Sequence, residues 1–161
     1  MGPITVRAAR PGDFAAVATL LAELGRPAVL GGPDEDRYRG RYVAWLADPD
    51  RYLFVAEDGD VVIGLVDMAI VPRLNFLAPQ AWIPDLVVTR GARGRGAGAA
   101  LLVRAEEAAR ERGAWAVRLE SANWRARAHA FYLREGYSDD AKSFDKALAE
   151  LGWAPPTGPE G

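Results

Sequence analysis

Apolar and polar positions alternate along this chain in two distinct rhythms. Ile4-Thr-Val-Arg-Ala8 has the two-residue period of a strand. Arg10-Pro-Gly-Asp13 carries helix-start chemistry with Asp13 as a cap, and Phe14, Val17, Leu20, Leu21 and Leu24 then follow at helical spacing until Gly25 ends the run. Gly31 to Asp34 breaks the chain, and Asp34 is placed to cap a second helix bearing Tyr38, Tyr42, Val43, Trp45 and Leu46. After Asp48-Pro-Asp, Tyr52 to Ala56 reads as a strand, Asp58-Gly59 as a hairpin turn, and Val61 to Val71 as a longer strand. Pro72 to Pro79 reads as a loop and Gln80 to Val88 as the next strand. Pro84 interrupts that strand; lacking an N–H, it calls for a bulge or an edge near Pro84-Asp85.

The following segment organises the rest. Arg90, Arg93, Arg95 and the glycines 91, 94, 96 and 98 lie between the strand and an amphipathic helix that runs to Gly113. The first N–H groups of a helix have no partners within it, and the helix dipole makes them an anion site. Gly94, Gly96 and Gly98 would let a diphosphate approach the main chain, and Arg93 and Arg95 add full positive charges. Trp115 to Glu120 is another strand; with the helix as crossover it should run parallel to the strand before the loop. Trp124 to Glu135 is a helix that Asn123 can cap and Gly136 can end. A final strand is expected within Tyr137-Ser138 and Lys142 to Leu148, and residues 151–161 form a loose tail rich in proline and glycine.

Composition narrows the function without choosing it. A chain of 161 residues suffices for one domain, expected over residues 1–150. A net charge of −2 gives no sign of a nucleic-acid partner. The chain has no cysteine and one histidine, His129, which removes disulfides, thiol nucleophiles and Cys- or multi-His metal sites. No apolar run is long enough for a membrane span and no signal peptide is visible, so the expected compartment is the cytoplasm.

Three readings of the glycine loop can be compared. A P-loop requires Lys-Ser or Lys-Thr after the glycines, whereas Gly98 precedes Ala-Ala-Leu. Gly94-Arg-Gly-Ala-Gly-Ala99 satisfies the dinucleotide pattern G-x-G-x-x-A, with Glu120 at a suitable distance. Against it, Thr89 to Arg93 separates the strand from Gly94, and the chain lacks the repeated βα units of a doubly wound sheet. The third reading takes Arg93-x-x-Gly96-x-Gly98 together with Asn123 and the run Ala128-His-Ala-Phe131-Tyr132-Leu-Arg-Glu-Gly136-Tyr137. Here the chain resembles the GNAT superfamily of acetyl-CoA-dependent N-acetyltransferases, with motifs Q/R-x-x-G-x-G/A and N-x-x-A-x-x-F-Y-x-x-x-G-F; Tyr137 replaces the usual Phe. The likeness covers about 145 residues.

That resemblance implies an α/β (α+β) fold: a mixed, mainly antiparallel sheet of 6–7 strands, about four helices, and a splay between two central parallel strands. It implies acetyl-CoA as co-substrate and no metal. Residues 93–99 (Arg93, Gly94, Arg95, Gly96, Ala97, Gly98, Ala99) would hold the diphosphate; Leu86, Val87, Val88 and Asn123 would pair with the pantetheine arm. Tyr132 would protonate the leaving sulfur, which a phenol can do because it is neutral at pH 7. Asp85 is the leading candidate for the base; Asp67, Glu120, Asp139 and Asp140 are weaker ones, better read as solvated charges. The acceptor is expected to be a small basic amine, with a protein N-terminus or lysine as the alternative; the acidic cluster Asp34-Glu-Asp36 suits steering of a cation and equally suits a helix N-terminus complementing its dipole. A homodimer is common among such relatives. A non-catalytic acyl-CoA-binding module is the competing class, against which Tyr132 argues.

Overall fold

The computed structural model describes residues 2–158, so the last three residues of the expected tail, 159–161, lie outside it. Contacts divide the chain into two compact units that meet in sequence at Leu119/Glu120.

The first unit holds a five-stranded sheet. β1 (Ile4–Ala8), β2 (Arg51–Asp58), β3 (Val61–Arg73), β4 (Phe76–Val88) and β5 (Val117–Leu119) lie in sequence order. The first three pairings are antiparallel, and β4 and β5 run parallel, as the crossover helix between them requires. Helices α1 (Phe14–Glu23) and α2 (Glu35–Ala47) contact the strands, and α3 (Ala97–Glu111) is the crossover. α1 buries Ala18 and places Phe14, Val17 and Leu20, one stripe at helical spacing, in a core cluster with Tyr42 of α2 and Leu53, Val55, Leu65 and Val87 of the sheet. α3 buries Leu101, Leu102, Ala105, Ala108 and Ala109. Its alanines allow close approach to the sheet, and Gly64 of β3 exploits this. A Cβ there would meet the Val87 carbonyl oxygen at 2.8 Å and Leu101 Cδ1 at 3.2 Å.

Several sequence expectations are corrected. The sheet has five strands among the described residues rather than 6–7, because neither Tyr137-Ser138 nor Lys142 to Leu148 forms a strand. Phe144 and Leu148 are both largely exposed, and their four-residue spacing gives no two-residue apolar face. The parallel pair therefore lies at one side of this sheet, with β5 as its outer strand, rather than at its centre. Pro72 to Pro79 is not a loop: β3 runs to Arg73 and β4 starts at Phe76, leaving Leu74-Asn75 as the turn. A register shift between Val71 and Arg73 absorbs Pro72, and Phe76 stacks on Trp115 with ring centroids 5.0 Å apart.

In the second unit, α4 (Ala126–Arg134) starts later than the expected Trp124. Arg125 occupies the cap position, with no side-chain cap bond, because a turn closed by Arg125 N–H on the Ala122 carbonyl precedes the helix. Asn123 lies exposed in that turn and is not the cap. Asp13 and Asp34 do stand at the caps of α1 and α2, but neither side chain makes a cap bond to its helix. Residues 153–158 have no regular structure.

Candidate active site

β4 bulges at Pro84, as its missing N–H demands. Asp67 pairs with Asp85 and Ala69 with Trp82, so Ile83 and Pro84 together face Met68. β5 pairs with β4 only at Ala81, Trp82 and Ile83, so the parallel ladder stops at the bulge while β4 continues to Val88. Beyond it, Thr89 donates its N–H to the Ile63 carbonyl at 2.8 Å, which fixes the alternation of the ladder. Val87 and Asp85 thus point their main-chain groups at β3, whereas Leu86 and Val88 point theirs toward the side that β5 has left. The Val88 carbonyl on that side accepts Arg93 Nε at 3.1 Å.

The glycine loop continues from this edge. A 3₁₀ turn at Arg90–Ala92 leads to Gly94 and Gly96, at φ 76° and 87°, and Gly96 caps α3 in the left-handed conformation. The first main-chain bond of α3 is Ala100 N–H to the Gly96 carbonyl at 3.0 Å. The N–H groups from Gly94 to Ala99 have no partner among the described residues. They meet the requirement for an anion cradle. Arg95 is tied elsewhere, 2.7 Å from Asp58 at the β2 end. Glu23, at the end of α1, holds the loop's entrance: it accepts the Thr89 hydroxyl at 2.8 Å and the Arg90 N–H at 2.7 Å. Nothing local in the sequence pointed to Glu23.

α1, the segment after it, α2 and the sheet line an open cavity of about 200 Å³, with Leu21, Arg26, Tyr38, Arg41, Trp45 and Asp67 among its walls. Asp67 accepts Trp45 Nε1 at 2.9 Å. Burial pushes its carboxyl up to about 6, partly opposed by the Trp45 bond and raised further by the nearby Asp85 charge. Asp85 sits across the ladder from it, bound by Arg26 at 2.7 Å. Arg41 has no carboxylate partner among the described residues. The acidic cluster before α2 is engaged locally: Asp34 lies 3.6 Å from Arg37, and Glu35 accepts Arg39 at 2.9 Å and the Gly31 N–H at 2.7 Å.

In the second unit, Tyr132 is half-buried on α4, its ring 5.3 Å from Phe131 and 5.9 Å from Tyr137. Asp139 and Asp140 are exposed, Asp140 accepting the Ser138 hydroxyl. Among the described residues no group of three or more His, Asp or Glu is placed to hold a metal, and no helix is long and apolar enough to cross a membrane.

The model of the acetyltransferase (GNAT) family matches residues 17–137, which include the bulged strand, the glycine loop and α4. The chain belongs to the GNAT family. An aminoalkylphosphonate N-acetyltransferase of Salmonella typhimurium is 34% identical to this GNAT chain over 143 residues, spanning 89% of this chain and 90% of its own length. Among solved structures, a putative acetyltransferase from Agrobacterium tumefaciens is 27% identical with a TM-score of 0.80, covering 89% of this chain and 99% of its own. A protein described as a transcriptional regulator from Bacillus halodurans superposes at TM-score 0.82 over 91% of this chain and all of its own; at 24% identity it shows the fold alone. The chain is thus an acyltransferase of the N-acetyltransferase type, and acetyl-CoA is the co-substrate of its family.

Proposed function

We propose that this GNAT enzyme transfers acetyl from acetyl-CoA directly to the primary amine of a small acceptor held in the cavity beneath α1 and α2. One observation carries the reading: a half-buried carboxylate, Asp67, and a guanidinium with no carboxylate partner among the described residues, Arg41, line the same cavity. That pairing suits an amine whose other end is an anion, and the Salmonella relative is named for such an acceptor, an aminoalkylphosphonate. Arg41 can fork onto phosphonate oxygens.

In this reading the N–H groups of Gly94 to Ala99, with Arg93, hold the diphosphate. The main-chain groups of Leu86 and Val88 pair with the pantetheine arm, and the Val88 N–H polarises the thioester carbonyl. Alignment of amine and thioester supplies several kcal/mol of the barrier. The carboxylate pair Asp67 and Asp85 provides the base. Tyr132, at the family's Phe-Tyr motif, protonates the departing sulfur, and Asn123 belongs to the same motif.

The test is release of coenzyme A thiol with 2-aminoethylphosphonate, a polyamine, an amino sugar and a lysine peptide. Turnover is expected with the phosphonate, and Arg41→Ala should raise KM for it more than for an uncharged amine. Transfer to the peptide alone would make the chain a protein acetyltransferase. Acetyl-CoA binding without turnover on any amine would make it a binding module.

A further inference from the structure

Asp67 and Asp85 are register partners across the β3–β4 ladder, yet their surroundings differ sharply. Asp85 is gripped by Arg26, whose Nε and Nη2 lie 2.8 Å and 2.7 Å from one carboxylate oxygen. That oxygen is thereby committed to a guanidinium rather than to the cavity. Asp67 has no such clamp. Its hydrogen-bond donors are neutral, the indole of Trp45 at 2.9 Å and the main chain of Met68, and it borders the cavity directly.

We propose that Asp67 is the catalytic base, taking a proton from the acceptor's ammonium, and that Trp45 and the Arg26–Asp85 pair are positioning residues that set how readily it does so. This deepens the function proposed above and rests on it. Among the charged and titratable groups, Tyr38, Arg41 and Tyr42 of α2 and Arg26 from beyond α1 line the cavity with Asp67, while Arg51 of β2 and Asp85 of β4 are the charges that act on it directly. Phe14, Val17, Leu21 and Leu65 make up much of the remaining wall. In such surroundings a neutral acid beside a neutral amine is favoured over the ion pair, since both charges lose hydration together. A proton on the amine can therefore pass to a carboxylate that burial has already made more basic.

The protons balance as follows. An acceptor ammonium carries three; one passes to Asp67 and thence to water, freeing the nitrogen lone pair. The nitrogen attacks the thioester carbonyl carbon, a C–N bond forms and the C–S bond breaks. The second proton reaches the coenzyme A sulfur, directly or by way of the general acid, and the third remains on the amide.

The experiment is the pH profile of kcat/KM with 2-aminoethylphosphonate at saturating acetyl-CoA, for the full chain and for D67N, W45F and D85N. Circular dichroism and acetyl-CoA affinity serve as controls. Asn at 67 can still accept from Trp45, so D67N should fold and bind acetyl-CoA normally while losing about 100-fold or more in kcat, together with the acidic limb of the profile. W45F removes a bond that favours the anion, and should move that limb to higher pH. D85N removes a repelling charge, and should move it to lower pH. An active wild type whose D67N variant keeps its rate and limb overturns the inference and leaves the function standing. Should D67N not fold, a limb that stays put in both W45F and D85N overturns it equally. A wild type that acetylates no amine overturns the function and this inference together.

Discussion

Arg95 Nη1 lies 2.7 Å from Asp58 Oδ2, tying the glycine loop to the end of β2. The pair is only about one-fifth exposed on each side, and it holds the Asp58 carboxyl below the usual carboxylate range. Arg95→Ala is expected to lower Tm only slightly and to change acetyl-CoA affinity only a few-fold. Titration calorimetry decides: a loss of more than tenfold would mean that Arg95 leaves Asp58 for the diphosphate.

Gly96 is a sharper target. At φ 87° an alanine adopts a strained conformation costing about 1 kcal/mol, and relief of that strain would rotate the amides at the start of α3. Gly96→Ala should lower acetyl-CoA affinity at least tenfold, as read by calorimetry, with a small drop in Tm. Unchanged affinity would detach the loop amides from the coenzyme.

Tyr132→Phe removes one hydroxyl from a half-buried ring. If that hydroxyl protonates the thiolate, kcat should fall by about 100-fold with the KM for acetyl-CoA unaltered. A turnover equal to wild type, measured by thiol release, would return Tyr132 to a packing role.

Two carboxylates give stability opposite pH dependences. Asp67 rises from 3.8 to about 6 on folding, so the native state holds its proton more tightly. That contribution is complete below pH 3.8 and is lost as pH rises through about 6, amounting to about 3 kcal/mol. Asp13 is held low by its bonds to Arg7, so its contribution is present above its unfolded value and is lost as pH falls. Urea unfolding at pH 4 and pH 7 should therefore show D67N gaining on wild type as pH rises. A pH-independent difference would contradict the burial of that carboxylate.

Much of this arrangement was legible in the sequence because it is local. Pro84 declares its bulge by lacking a donor, and Gly94 and Gly96 declare a loop that needs positive φ. What escaped depends on contacts between distant residues. Trp45 reaches Asp67 over 22 positions, Arg26 reaches Asp85 over 59, and Glu23 reaches Thr89 over 66. No periodicity records such meetings, so the sequence alone makes Asp85 the leading candidate for the base and Asp67 a solvated charge. The β3–β4 hairpin was hidden for another reason: Pro72 and Pro79 look like loop residues, but a register shift lets the strands run past them.

Gly64 has a consequence that reaches well beyond its own strand. With a hydrogen where any other residue has carbon, it works as a shim of minimum thickness between the sheet and α3, touching both the Val87 carbonyl and Leu101. Replacement by alanine would have to push β4 sideways or jack α3 upward by several tenths of an ångström. Either movement displaces the start of α3, since Ala97 and Leu101 share the same helix face. If the helix mouth holds a diphosphate as proposed, the height at which it does so is gauged by a residue buried between sheet and helix.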